Sequence, residues 1–499
     1  MPTLSQKPPV PPPPPLSLYR PLAVALLACW FAVAGPFGKP PVLAQTGGQT
    51  AASPPAFTLQ EAMDYGAERS PSVRASAADL AEAEGQIKET LSIGLPKVNG
   101  SLGYQYNLEV QESLLPDFVS PTVFDVLNRQ SVQNTTTGEV IQPVQGSPQF
   151  IPVQFGLRNQ VNAGLSVNSL LFDATYFIAL RGARLFRNLA ERTLEQTAYQ
   201  TRVQVAKAYL ATLIAERNRA TLDRNVANLE QTLAETRALY DAGFAEKLSV
   251  DRLVLTASNL AAQRESLTQV IAISRNLLKF QMGYPIGDPI ALATDFEDAL
   301  GTARIAELLG DDEFDVSRRP EYATLQVADS LNAIDLTRIR AGYYPSLVGF
   351  ASVTRQLQRD DLFDADEPGW LPGSSVGVTL NVPIFDGFEK RAQRQRAVAR
   401  SQKTRVQIAQ FEESARLALA NARASVRNAR LAVTLREDAV ALAEEIYRVA
   451  QIKFREGVGS SLEVNQAQAE LYQAQDALTQ ALYDLAVAYV DYEDSLGEL

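Results

Sequence analysis

The chain contains no histidine and one cysteine, Cys29. The first absence removes the commonest metal ligand and the side chain best suited to general-base work near neutral pH. The second excludes a disulfide within the chain and any cysteine cage for a metal. A glycine-rich phosphate loop and a nucleophile elbow are missing as well. Carboxylate pairs such as Asp311-Asp312 and Asp360-Asp361 fall in stretches that read as linker or loop, with no partnering base. Enzymatic activity, a cofactor and a bound metal are therefore not expected. After residue 44 there is no run of 18 apolar residues, so any crossing of a membrane has to be made by strands. The formal net charge of −11 argues against nucleic acid, which demands a positive footprint.

Residues 1–44 read as an export signal peptide. Lys7 and Arg20 supply positive charge, Leu22 to Ala34 a short apolar core, and Val42-Leu43-Ala44 small residues for cleavage before Gln45. A rival reading is lipidation at Cys29, because Leu26-Leu27-Ala28-Cys29 resembles a lipoprotein motif. Losing the leader removes three basic and no acidic residues, which leaves a charge near −14. Residues 45–56 are small and polar and read as a flexible start.

The remainder is one unit used twice, 57–285 and 317–499, with an acidic linker at 286–316. Each copy runs helix, strand, strand, long helix, tip turn, return helix. Pro71 and Pro96 stand 25 residues apart, as do Pro320 and Pro345. Tyr240-Asp241-Ala242-Gly243 followed by Leu248 matches Phe454-Arg455-Glu456-Gly457 followed by Leu462. The helix that begins at Phe388 meets no proline or glycine before Gly457. It and its counterpart from about Thr175 to Tyr240 span on the order of 100 Å each at about 1.5 Å per residue. Apolar residues repeat along them at three- and four-residue spacings, the mark of knobs-into-holes packing.

Four stretches alternate apolar and polar residues. One is Val98 to Val110, with Tyr104 and Tyr106; the next is Ile151 to Val167, with Phe155 and Leu157. Leu347 to Leu357 alternates less cleanly, and Val376 to Ile384 carries Val378 and Leu380. Such a dyad pattern suits strands with lipid on one face and a wet lumen on the other. Four strands cannot close a membrane barrel alone, since about eight is the practical minimum. The predicted fold class is α+β: long helices forming an α-helical barrel, with four strands per protomer contributed to a shared transmembrane β-barrel. Tyr104, Tyr106, Phe155, Leu157, Val378 and Leu380 are the candidate lipid-facing residues. Basic residues crowd the start of each long helix, Lys390 to Arg405 in the second copy and Arg181 to Arg192 in the first; contact with lipid phosphates and a plain solvated helix face are the two readings they allow.

These features resemble the TolC-type outer-membrane efflux proteins. The resemblance rests on Leu59-x-Glu61-Ala62 with Ser70-Pro71, Leu171-Phe172-Asp173, Pro383-Ile384-Phe385-Asp386-Gly387, and Phe454-x-x-Gly457 with Ser461-Leu462. Gln466-Ala467-Gln468 and Leu471 in the last helix extend it. It implies a homotrimer with a 12-stranded barrel in the cell outer membrane and a helical tunnel reaching into the periplasm. Its implied partners are a periplasmic adaptor, an inner-membrane transporter and outer-membrane lipids. The function it implies is a passive conduit for small-molecule efflux, type I protein secretion or both. The family's tip gate maps onto Gly243, Gly457, Phe454, Glu463 and Gln466. The position of its gating arginine falls on Gly459, and that of its gating tyrosine on Phe454. The alternative from another class is a soluble periplasmic coiled-coil scaffold or adaptor, which would have no use for four two-faced strands.

Overall fold

The computed structural model describes residues 54–116, 119–141, 150–154, 156–294, 314–363 and 369–499. The expected leader with Cys29, Phe155 and the linker stretch around Asp311-Asp312 lie outside them. The chain opens with β1 (Ala56–Phe57), α1 (Leu59–Arg69), α2 (Pro71–Ile93) and β2 (Lys97–Tyr106). β3 (Glu112–Pro116) and β4 (Phe150–Gln154) pair antiparallel, with α3 (Val119–Arg129) between them in sequence. Then come β5 (Asn159–Phe172), α4 (Ala174–Asp241), α5 (Lys247–Met282) and β6 (Ala291–Leu292). The second half holds α6 (Pro320–Ala341), β7 (Ser346–Arg359), β8 (Leu371–Asn381), α7 (Glu389–Arg455) and α8 (Ser461–Leu496).

Local chemistry sets the helix boundaries. Thr58 and Glu61 form a reciprocal capping box at the start of α1. Ser70 caps α2, with Pro71 in the first turn where its missing N–H costs nothing. Asp173 ends β5 and at once accepts from the backbone of Thr175 (2.6 Å), so one residue closes the strand and opens α4. α7 begins at Glu389 rather than Phe388, because Gly387 and Phe388 are both left-handed, with φ of +63° and +67°.

α4 and α7 have 68 and 67 residues, and α5 and α8 have 36 each. Helices this long draw their stability from packing. α4 packs against α2 and α6 near the sheet and against α5 and α8 farther away; α7 packs against α6 and then α8. Each return helix stops on a left-handed glycine that butts against the start of a shorter helix. A Cβ on Gly283 would lie 2.6 Å from the Arg69 carbonyl, and one on Gly497 would lie 3.0 Å from that of Arg318. α5 thus continues into α2, and α8 into α6, as rods that accompany α4 and α7.

The largest core lies around these joints. Ala62, Val205, Tyr209, Leu278, Met282, Val426 and Tyr492 are almost fully buried there. Tyr209 donates to the Phe57 carbonyl (2.9 Å) and accepts from Thr294 N–H. β1 pairs in parallel with β6, so Ala56 and Phe57, at the boundary of the expected flexible start, are tied to Ala291 and Leu292 within the expected linker. Two smaller clusters, around Leu229 and Leu253 and around Val464 and Tyr447, zip the hairpins α4–α5 and α7–α8.

β2, β5, β7 and β8 form one antiparallel sheet in that order. The expected single run from Ile151 to Val167 is two elements. β4 pairs with β3, the chain turns through Gly156 at φ +110°, and only then does β5 begin. The run from Val98 likewise ends at Tyr106.

Candidate functional site

The sheet is the first of two candidate regions. Its register brings the apolar positions of all four strands to one face. Val98, Val167, Ala351 and Val376 form one row, and Tyr104, Val161 and Leu357 another. Gly349 and Val378 share that face, as do Leu347 and Leu380; its polar exceptions are Arg355, Ser169, Ser374 and, at the loop end, Asn159 and Arg359. The opposite face carries Asn99, Ser166, Ser352 and Ser375 in one row and Gln105, Gln160 and Gln358 in another. Ser352 and Ser375 share a hydrogen bond of 2.8 Å across strands.

Among the described residues nothing covers the apolar face. Leu102 is 79% exposed, Val376 85% and Val378 61%. A soluble sheet buries such a face against a second layer. β2 and β8, the two edges, each have one neighbour and run antiparallel to each other. Tyr104, Tyr106, Val378 and Leu380 stand on the apolar face. Tyr104 donates to Asn159 Oδ1 (2.8 Å) at its loop end. Leu157 stands in the connection before β5, where its carbonyl accepts from Asn107 Nδ2 (3.0 Å).

Sequence pattern missed the reason for the poor alternation of β7. Phe350 faces the polar side, where Gly377 on β8 gives its ring room; a Cβ there would lie 2.6 Å from Cζ. The glycine opposite the aromatic was the available signal.

The second region is the end of the helices farthest from the sheet. Gly243 and Gly457 take φ of +82° and +76°. That left-handed geometry lets Phe244 N–H reach the Leu239 carbonyl (2.8 Å) and Val458 N–H the Lys453 carbonyl (3.0 Å), closing both helices in the same way. The two tips are side by side. Ser461 Oγ donates to Ser249 Oγ (2.8 Å), and Arg455 pairs with Glu235 at 3.4 Å. Between them lies a cavity of about 550 Å³ lined in part by Phe244, Leu248, Arg252, Phe454 and Leu462.

Phe454 is half-buried against the core of the α7–α8 hairpin. Glu463 and Gln466 are exposed and line one groove with Glu445, Lys453 and Glu470. Glu463 occupies the first turn of α8, where its N–H is held by the Ser460 cap and the helix dipole favours a carboxylate. At Gly459 a Cβ would come within 2.8 Å of Lys453 Cβ and 3.1 Å of its carbonyl carbon. This turn has no room for an arginine at that position.

A third cluster, which sequence reading did not find, ties the end of α8 to the start of α6. Arg319 donates to the Asp494 carbonyl (2.8 Å) and pairs with Glu321 (3.2 Å), and Tyr199 donates to the same carbonyl (3.1 Å). Burial raises the Tyr199 pKa and also raises that of the Asp494 carboxyl, against the pull of Arg319. Burial opposes the Arg319 charge, but Glu321 and Asp494 outweigh it and the pKa rises. Tyr199 and Asp494 lie 295 positions apart, beyond the reach of any local pattern.

Among the described residues no group of His, Cys, Asp and Glu is arranged to hold a metal, and no helix is long and apolar enough to cross a membrane.

The sequence matches the model of the outer membrane efflux protein family over residues 67–279 and 322–498. It is 27% identical to the pyoverdine export outer membrane protein OpmQ of Pseudomonas aeruginosa over 199 residues, which is 40% of each protein. The chain thus spans less than half the length of that curated relative. The fold is similar to that of the outer membrane protein VceC of Vibrio cholerae. There the TM-score is 0.60 at 17% identity, over 88% of this chain and 96% of that one. It is also similar to the open state of the Neisseria gonorrhoeae MtrE outer membrane channel, with a TM-score of 0.59 at 18% identity over 88% of both chains.

Proposed function

The chain belongs to the outer membrane efflux protein family, and from that premise we propose that three copies assemble into a passive export conduit. Each copy contributes four strands to a 12-stranded barrel in the outer membrane. The long helices of the two repeated halves form a tunnel that extends into the periplasm. One observation carries this reading: a four-stranded sheet with a bare apolar face and two unpaired edges. Within hydrocarbon, each unpaired backbone group on β2 and β8 costs several kcal/mol. One copy therefore cannot rest there alone. Because the edges run in opposite directions, β2 of one copy can join β8 of the next in antiparallel pairing, and the ring closes without an edge.

The polar face, with its serine, asparagine and glutamine rows, then lines the lumen, and Tyr104, Val378 and Leu380 meet lipid. The tips with Gly243 and Gly457 form the periplasmic mouth, where an adaptor and an inner-membrane transporter dock. Glu463 faces the exit path. Gly459 and Phe454 replace the arginine and the tyrosine of the family's gate, so this mouth is held by other contacts, the Ser249–Ser461 bond and the Arg455–Glu235 pair among them. The cargo is small solutes, in line with the pyoverdine export of the Pseudomonas aeruginosa relative. Energy comes from the transporter, since the conduit has no chemistry of its own.

Cysteine cross-linking tests the assembly. With Cys29 the one native cysteine, single cysteines along β2 and β8, such as Ser101→Cys with Ser375→Cys, report only the edge junction. The expected result is an oxidised ladder ending at three chains, extracted from outer membranes with detergent. A monomer recovered without detergent and free of cross-links would overturn the proposal and favour the soluble scaffold.

A further inference from the structure

The basic residues at the start of the two long helices do not form one uniform surface. On α4, Arg187 is held by Glu84 (3.2 Å) and Glu191 (2.9 Å), and Arg192 by Glu195 (2.7 Å). On α7, Arg400 reaches Asp335 (3.7 Å) and Arg405 reaches Asp329 (3.8 Å). Nearer the sheet the pattern changes. Among the described residues no carboxylate lies within 4.0 Å of the guanidinium of Arg181, Arg184, Arg391 or Arg394. All four are exposed. Asp386 and Glu389 stand at the start of α7, but they hold Lys390 (3.0 Å) and Gln393 (2.9 Å) rather than Arg391 or Arg394.

Large aromatic residues stand exposed just above. Phe385 and Phe388 are 74% and 64% exposed, with their rings in edge contact at 5.4 Å, and Phe177 on α4 is 52% exposed. Phenyl rings left in water at the end of an apolar sheet face fit the boundary of a hydrocarbon layer. From the first residue of its helix, Arg391 is about 3 Å along the axis, Arg394 about 8 Å and Arg181 about 10 Å. The polar layer of a bilayer is roughly 5–8 Å deep on each side, and arginine side chains extend to reach it. Arg391 and Arg394 also line a shallow groove of about 470 Å³ with Gln395, Val398 and Gln402.

We propose that Arg181, Arg391 and Arg394 bind the phosphates of anionic phospholipid head groups in the periplasm-facing leaflet, anchoring each protomer at a fixed depth. This rests on the membrane-channel reading above. A guanidinium presents a donor fork matched to phosphate oxygens. Pairing with Asp or Glu would cancel the attraction; at the start of α7 only Lys390 is so paired, with Asp386 (3.0 Å).

The test uses the full-length assembled protein, exposed to equal amounts of phosphatidylglycerol and phosphatidylcholine, with bound lipid counted by native mass spectrometry. Wild type should retain phosphatidylglycerol preferentially. At about 1 kcal/mol per basic residue near an anionic surface, Arg391→Gln with Arg394→Gln should weaken that retention about thirtyfold. Arg430→Gln with Arg436→Gln, the same change of charge far down α7, should leave it intact. Equal retention of both lipids by wild type, or an undiminished preference in R391Q/R394Q, overturns the inference. If that variant does not assemble, wild type is measured against salt, where a preference insensitive to salt overturns it equally. A protein that conducts in a phosphatidylcholine bilayer yet shows no lipid preference loses this inference alone. Failure to insert into any bilayer removes the channel reading with it.

Discussion

Asp494 shows how one residue can hold a joint at a cost. It sits near the C-terminal end of α8, where the helix dipole disfavours a negative charge, and packs beside Tyr199, Arg319 and Glu321. Burial raises its pKa above the ordinary 3.8, and Arg319 only partly offsets this. The folded state therefore holds that proton more tightly than the unfolded chain does. By linkage, the contribution is neutral below the ordinary value, becomes unfavourable as pH rises through the raised one, and stays unfavourable above it. Asp494→Asn should thus raise the thermal midpoint at about pH 8, with the gain shrinking to nothing towards about pH 3. A midpoint that falls at the higher pH would mean that the attraction of Asp494 for Arg319, and for the nearby Lys207 on α4, outweighs its desolvation. Gly283 and Gly497 act at the same scale in the same place, since only a residue without a Cβ lets the return helix abut the next helix.

At the level of elements, the two faces of the sheet differ enough to be separated by neighbouring residues. Val376 and Ser375 are adjacent in the middle of β8 and point to opposite faces. A lysine on the lipid side of a barrel near its midplane costs about 2–4 kcal/mol per chain, and a lumen-side lysine costs little. Val376→Lys should therefore deplete heat-stable oligomer in reconstituted membranes, and Ser375→Lys should leave it near the wild-type amount. Equal loss in both would mean that the two faces are not in different solvents. The faces were legible in the sequence because period-two alternation survives in β2, β5 and β8. The long helices and their tips were legible because glycine and proline punctuate their ends, while within them Gly182 is the one glycine and no proline stands. The hairpin of β3 and β4 was hidden, since Val153 and Val161 keep the same parity across Gly156 and made two elements read as one. The pairing of β1 with β6 and the Arg319–Asp494 cluster join residues far apart in the chain and left no periodic trace. At the tip, sequence alone placed Glu463 and Gln466 on one helix; their common groove with Lys453 and Glu470 needed the packing of α7 against α8.

For the whole molecule, the proposed trimer matters because each copy supplies its tip residues once and the assembly would multiply them around an axis. Glu463 is exposed in the first turn of α8, and Gln466, one turn on, is uncharged. In one chain such a carboxylate is an ordinary N-terminal acid stabilised by the helix dipole. In the proposed trimer three of them around the mouth would form a ring. At roughly 10 Å from the axis in water, three carboxylates lower the energy of a monovalent cation by about 1 kcal/mol before screening, enough to alter its passage several-fold. Glu463→Gln should therefore lower the cation-over-anion permeability ratio, read as a reversal potential moved towards zero in a potassium chloride gradient. Gln466→Glu should move it the other way, and both shifts should shrink as salt shortens the screening length. An unchanged reversal potential in a Glu463→Gln channel of normal conductance would place Glu463 off the permeation path. The charged residues lining the cavity between the hairpins, Arg252, Arg455, Glu246 and Glu456, would then be the next to test.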